Sequence, residues 1–149
     1  MSLTGFWMNE LKSVMLLDHK ADGTLVGQYR SIVGRDSHPR SLAGRTGDDE
    51  QGKRMLGFAV VFRIDNPSTG YGHFSACPWS GWAIKDNVIT THWHLSISML
   101  NKADEWSSNL IGEDRFEKIF AKADASQLNA GVEELTKMFQ KFRDEGLQG

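Results

Sequence analysis

From residue 5 to about residue 116 the chain is written in short runs whose side chains change character at every second position, punctuated by turn residues. Few architectures accept that pattern. Gly5 to Leu11 alternates, and so does Thr24 to Val33 behind Ala21-Asp22-Gly23, whose Asp-Gly pair is a hairpin signal. Gly57 to Ile64, Tyr71 to Cys77, Val88 to Ser98 and Trp106 to Ile111 continue the series, with Asp65 to Gly70 and Asp86-Asn87 as turns. Gly34 to Arg40 and Thr46 to Lys53 read as irregular, the second as a solvated hairpin end. About eight strands at near-regular spacing predict an all-β fold, either an antiparallel up-and-down barrel or two stacked sheets. The eight-stranded barrel is preferred, because closure leaves no unpaired strand.

The last part of the chain follows a different period. Leu128, Val132, Leu135, Phe139 and Phe142 recur at spacings of four, three, four and three, with Glu133, Glu134, Lys137, Lys141 and Arg143 between them. This predicts a C-terminal amphipathic α-helix of roughly 18 residues, docked on the barrel or on a neighbouring subunit. Ser126 or Asp124 is its expected N-cap. Two heptads and an internal Gly131 make a coiled-coil seam the weaker reading. The expected division is a barrel over residues 1–119 and a helical extension over residues 120–149.

With 149 residues and 40% hydrophobic side chains, the chain suits one core. Seventeen basic against nineteen acidic residues leave a formal net charge of −2, so the electrostatic footprint for DNA or RNA is missing. A lone Cys77 rules out an internal disulfide framework and a multi-cysteine metal site. The longest apolar run, Phe58 to Phe62, is far below the ~20 residues of a spanning helix, and the N-terminus lacks a basic-then-apolar leader pattern. A soluble chain with no membrane or nucleic-acid partner is expected. The aromatic content is unusual: five Trp and eight Phe stand against two Tyr, which requires a large core or a cavity to line.

Residues two apart in a strand share a face, so each run can be asked what it shows the interior. Trp7, Asn9, Leu11 and Ser13 share one face; Leu25, Gly27, Tyr29, Ser31 and Val33 share another. Then come Phe58, Val60 and Phe62, then Ser75, Cys77 and Trp79, then Trp93 and Leu95. If these faces all point inward, the interior is aromatic at one level and polar at another. Each Ser or Asn alone is most simply a satisfied strand residue, and each Trp alone is most simply core. Together they are costly, since a buried polar group without a partner costs about 1–3 kcal/mol. Water or a small ligand with a polar head and an apolar body is expected to satisfy them.

The residues that carry this pattern resemble the avidin and streptavidin family of biotin-binding β-barrels, from Thr4 to about Phe116. Thr4 to Ser13 looks like that family's first strand and turn, and Gly27 to Gly34 like its third strand entering the ligand-gating loop. Trp79-Ser80-Gly81, Thr91 to Leu95, and Trp106 through Leu110 to Phe116 follow in the family's order. The resemblance implies a non-enzymatic protein with no cofactor or resident metal and with biotin as its ligand. It implies that the ureido oxygen accepts hydrogen bonds from Asn9, Ser13 and Tyr29, while the ureido N–H groups go to Ser31 and Asp114. Three donors on one carbonyl would polarise the urea and strengthen its N–H groups as donors. Phe62, Trp79, Trp93 and Leu95 would wall the ring and chain. Ser75, with Val33 and the loop from Gly34 through Arg35 and Asp36, would hold the carboxylate end.

Trp106 stands where the family caps a neighbour's site, so a homotetramer is expected, with a dimer as second choice. Export, as a secreted or periplasmic protein, is the family's implied location. Cys77 stands where the family usually has Thr, and Phe62 where Trp is commoner. The hairpin after Phe62 is longer than in streptavidin, and the C-terminal helix falls outside the resemblance. His92 and His94 flank Trp93 and should face away from the pocket; the resemblance implies a place between subunits, where protonation would loosen assembly. A metal there would lack a third ligand. A lipocalin-like carrier of another hydrophobic ligand is the alternative, since Gly5-Phe6-Trp7 fits the start of that barrel class; the chain is short for it and lacks its disulfide cysteines. An enzyme built on a small barrel would need an inward base beside a nucleophile.

Overall fold

The computed structural model describes residues 2–31, 38–65, 72–98 and 109–120, together with Lys137. Eight antiparallel strands run in sequence order: β1 (Gly5–Asn9), β2 (Val14–His19), β3 (Thr24–Arg30), β4 (Arg40–Asp48), β5 (Arg54–Asp65), β6 (Gly72–Ile84), β7 (Val88–Ile97) and β8 (Asn109–Phe120). Each pairs with the next, and β8 closes on β1, where Asn9 faces Phe116 and Phe6 faces Phe120. The fold is therefore the eight-stranded up-and-down barrel; the stacked-sheet alternative fails on the β1–β8 ladder. The expected tail helix lies outside the described residues except for Lys137, which is helical and exposed. Among the described residues no helix is long and apolar enough to cross a membrane.

Inward residues divide the barrel into two levels. The lower half is packed solid by Leu3, Trp7, Leu17, Leu25, Leu56, Ile89 and Phe116, all buried in one cluster. Each such side chain contributes on the order of 1.5–3 kcal/mol by leaving water. The base is sealed by the chain's own start. Leu3 is fully buried; Trp7 Nε1 donates to its carbonyl at 2.9 Å, and its N–H donates to His19 Nδ1 at 3.1 Å. Because Nδ1 accepts, the His19 proton sits on Nε2, which reaches Thr46 Oγ1 at 3.1 Å, and the Thr46 hydroxyl donates on to Gly23 O. Burial first, and the nearby Arg54 charge second, hold the His19 pKa below its ordinary value, in keeping with a neutral ring.

Several strand boundaries differ from the sequence expectation. The first strand stops at Asn9, because Lys12 turns through a positive φ of 71°; Leu11 therefore stands in the turn, 51% exposed, and reaches the cavity from there rather than from a strand. The third ends at Arg30, short of Val33. β2 and β4 are strands where no alternating run was read, and β5 starts at Arg54, three residues early. The sixth continues past Cys77 to Ile84; Pro78, with no N–H to give, only interrupts its ladder to β7 between Ala76↔Ser96 and Trp79↔Trp93. The eighth runs on to Phe120. The Asp22-Gly23 hairpin forms as expected, with Gly23 at φ 89°.

Candidate functional site

Above the packed half, a cavity of about 120 Å³ is lined by Asn9, Leu11, Ser13, Tyr29, Ser31, Phe62, Cys77, Trp79, Trp93, Leu95 and Asp114. The turn between β1 and β2 builds its polar end. Asn9 Oδ1 accepts the backbone N–H groups of Leu11 and Ser13 at 3.0 and 2.9 Å, which keeps Ser13 beside Asn9 although the strand has ended. With the oxygen so occupied, the Asn9 amide presents Nδ2 as a donor. Ser13 is hydrogen-bonded to the Tyr29 phenol, so the three side chains stand together. Burial, and then the Asp114 charge, hold the Tyr29 pKa far above its ordinary value, and the phenol stays protonated.

Asp114 comes from β8, and the two strands next to it in the barrel, β7 and β6, support it. Trp79 Nε1 donates to Asp114 Oδ2 at 2.9 Å, and the Thr91 hydroxyl donates to the Asp114 backbone carbonyl at 3.0 Å. Burial pushes its pKa up to about 6; the Trp79 N–H opposes this, the neighbouring Glu10 carboxyl adds to it, and the Trp93 N–H also favours the ion. Trp93 Nε1 does so without completing a hydrogen bond; it is the buried side-chain nitrogen without a partner among the described residues. Part of the cost expected of the inward polar groups is met from within the barrel: the turn satisfies Asn9 Oδ1, and the indole of Trp79 satisfies Asp114 Oδ2.

Aromatic rings form the rest of the wall. Tyr29 lies 4.9 Å from Trp79 and 5.8 Å from Phe62 between ring centres, and Phe58 stacks under Trp79 at 5.2 Å. Cys77 is buried, and burial pushes its thiol pKa up to about 12, with the Asp114 charge adding to the effect. It is a weakly polar wall group, inert as a nucleophile at neutral pH. Ser75 is half-buried opposite Phe62 in the β5–β6 register and is not among the lining residues. Val33, Gly34 and Trp106 lie outside the described residues.

His92 and His94 point outward. His92 Nε2 lies 3.0 Å from Glu113 Oε1, and His94 Nε2 lies 3.1 Å from Asn109 Oδ1. Among the described residues no three His, Cys, Asp or Glu side chains gather as a metal site. Trp82 is half-buried with the Lys53 ammonium 5.0 Å above its ring. A wider cleft of about 510 Å³ lies outside the base, between His19, Lys20, Asp22, Asp48 and Arg54. Two of its charges already pair there, Arg54 with Asp48 at 2.7 Å, and Lys20 is taken by Asp18 at 3.0 Å, so nothing in it converges on a ligand as the inner cavity does.

Thr91 and Glu10, which hold the backbone at Asp114 and Arg115, are not among the site residues expected from the sequence. Thr91 was findable, because it shares the inward face of β7 with Trp93; Glu10 was not, because a turn carries no periodicity. The Avidin family model matches residues 1–119, which takes in the barrel almost to the end of β8 and stops where the C-terminal segment begins. A closed barrel of eight strands, a polar and aromatic cavity at one end, and a family match over that same length agree: the chain belongs to the avidin family.

Proposed function

We propose that this protein is a non-catalytic, high-affinity biotin binder that works as a homotetramer. The observation that carries the reading is the convergence of Asn9, Ser13 and Tyr29 at one point of the cavity, across from the buried Asp114 carboxyl. Three donors suit a urea oxygen, and Ser31 with Asp114 suits its two N–H groups. Phe62, Trp79, Trp93 and Leu95 give the fused ring an apolar sleeve, with Cys77 beside it. Val33, Gly34 and Ser75 are assigned to the carboxylate end, and Trp106 to a neighbour's site. Against turnover, the lining offers one carboxylate and no histidine, so an acid and a base are not paired there. Export from the cytoplasm follows from family kinship alone.

The C-terminal segment is assigned a structural place. Phe6, Met8, Val14 and Leu16 lie outside the core cluster, on the outward faces of β1 and β2, yet all are buried. Phe120 stands opposite Phe6, so the chain leaves the barrel beside this covered face. The apolar stripe from Leu128 to Phe142 is the cover we propose for it.

Titration with biotin, followed by tryptophan fluorescence and thermal melting, tests the function. Quenching that saturates at one biotin per chain, with a large rise in Tm, is expected; no stabilisation at excess biotin sinks the reading. Light scattering that returns a monomer overturns the tetramer.

A further inference from the structure

The peptide group between Asp114 and Arg115 is held at both ends by side chains. Its carbonyl, on Asp114, accepts the Thr91 hydroxyl at 3.0 Å, and its N–H, on Arg115, donates to Glu10 Oε2 at 3.0 Å. The carbonyl and N–H of one trans peptide point opposite ways, so the two holds come from opposite sides of β8. Thr91 reaches in from β7, where it stands opposite Asp114 in the ladder and is fully buried. Glu10 reaches in from the β1–β2 turn. The β1–β8 register runs Met8↔Glu117, then Asn9↔Phe116, and its next pair would be Glu10 with Arg115. β1 has ended by then, and the Glu10 side chain supplies the oxygen that a strand carbonyl would have offered. The Arg115 guanidinium is turned towards Glu117 at 3.7 Å, so what Glu10 takes is the main chain of β8.

At this peptide the two halves of the cavity's polar end meet. Asn9 and Ser13 belong to the same turn as Glu10, gathered there by Asn9 Oδ1, and the Asp114 carboxyl springs from the clamped strand. Trp79 holds Oδ2 of that carboxyl, while Thr91 and Glu10 hold the backbone that carries it. We propose that Glu10 and Thr91 are positioning residues for ligand capture: together they clamp the Asp114–Arg115 peptide and set the Asp114 carboxyl at its working distance from the Asn9 and Ser13 donors. Neither residue lines the cavity, so both act through Asp114. The ligand in this statement is biotin, so it rests on the function proposed above. A rigid molecule that must engage the turn at one edge and Asp114 at the other tolerates little error in their spacing, because hydrogen bonds weaken steeply as distance and angle are lost. A spacing held before the ligand arrives also removes an ordering cost from binding.

The test measures the dissociation rate of labelled biotin from the full chain carrying Glu10→Ala, Thr91→Val, Glu10→Gln or Thr91→Ser, each made also in an Asp114→Ala background. Glu10→Ala and Thr91→Val are each expected to quicken dissociation about tenfold, the effect of one lost hydrogen bond to the clamped peptide. Glu10→Gln and Thr91→Ser keep the oxygen that bonds the peptide and should restore a rate within about threefold of wild type. With no carboxyl left to place, Glu10→Ala and Thr91→Val should cost nothing further. An equal loss in both backgrounds is a general effect on the fold and overturns the proposal, as does an unchanged rate in the single variants. Should the buried Thr91→Val fail to fold, Glu10→Ala, at an exposed residue, carries the comparison. Hydrogen exchange of the Arg115 amide in the unliganded protein needs no ligand: it is expected to quicken about tenfold in Glu10→Ala and to slow again in Glu10→Gln. If wild type fails to bind biotin, the function proposed above falls, and exchange alone decides the clamp: faster exchange in Glu10→Ala upholds it, and unchanged exchange overturns it.

Discussion

Gly112 lies directly opposite Trp93 in the β7–β8 ladder, and the indole occupies the space a side chain at residue 112 would need. A Cβ there would come within 2.3 Å of Trp93 Cζ2, a distance no real contact sustains. The cavity wall on this side is thus set by what β8 omits. Gly112→Ala should push the indole inward, because overpacking of this kind costs about 1–3 kcal/mol and the open side is the cavity. The expected result is a shifted tryptophan emission and biotin affinity reduced by one to two orders of magnitude, with a smaller change in Tm. Unchanged emission and affinity would mean that the ring finds another place.

Asp114 links binding to stability with opposite signs. Its folded pKa of about 6 lies above the ordinary 3.8, so its buried charge works against the unliganded fold at neutral pH. The sign follows from linkage: the cost is complete above pH 6, shrinks as pH falls from 6 towards 4, and is gone below both values. Asp114→Asn should therefore stabilise the unliganded protein at pH 7.5 by on the order of 1–3 kcal/mol, with the gain fading by pH 4. The same change should weaken biotin binding, since a charge-assisted acceptor is lost. Urea unfolding at the two pH values, beside a biotin titration, reads both effects. A variant less stable at pH 7.5 would contradict the assignment.

The outward burial of Phe6 and Leu16 makes a separate claim on the C-terminal stripe. Leu135→Glu with Phe139→Glu, in the full chain, should expose that face: Tm should fall and the dye ANS should bind. Cavity residues are untouched by this change, so biotin stoichiometry should hold at low temperature. No change in Tm or ANS fluorescence would remove the stripe as the cover.

The barrel was legible because most strands bury one face and wet the other, which writes a period of two into the sequence. β2 escaped because Val14, Met15, Leu16 and Leu17 are all buried, so it reads as a continuous apolar run. β4 escaped for the opposite reason: Arg40 to Asp48 is largely exposed, with two glycines and little to alternate. In the site, strand parity places Tyr29, Trp79 and Trp93 on inward faces. Leu11 and Ser13 reach the cavity by another route, from the Lys12 turn, where Leu11 is half exposed and Asn9 Oδ1 draws Ser13 back beside it. Contacts between turns, such as that of Glu10 with Arg115, follow from closure of the barrel across 105 residues and leave no local trace.

With Leu3 drawn across its base, the barrel is a vessel whose floor, among the described residues, is packed protein. A guest seated among the tryptophans could not leave through that floor. The residence time of the ligand proposed above is therefore expected to respond to changes in the Asn9–Ser13 turn and in Ser31 and Leu95, which line the cavity. Changes at Leu3, Trp7 or His19 alter how firmly the vessel is built and leave the exit as it was.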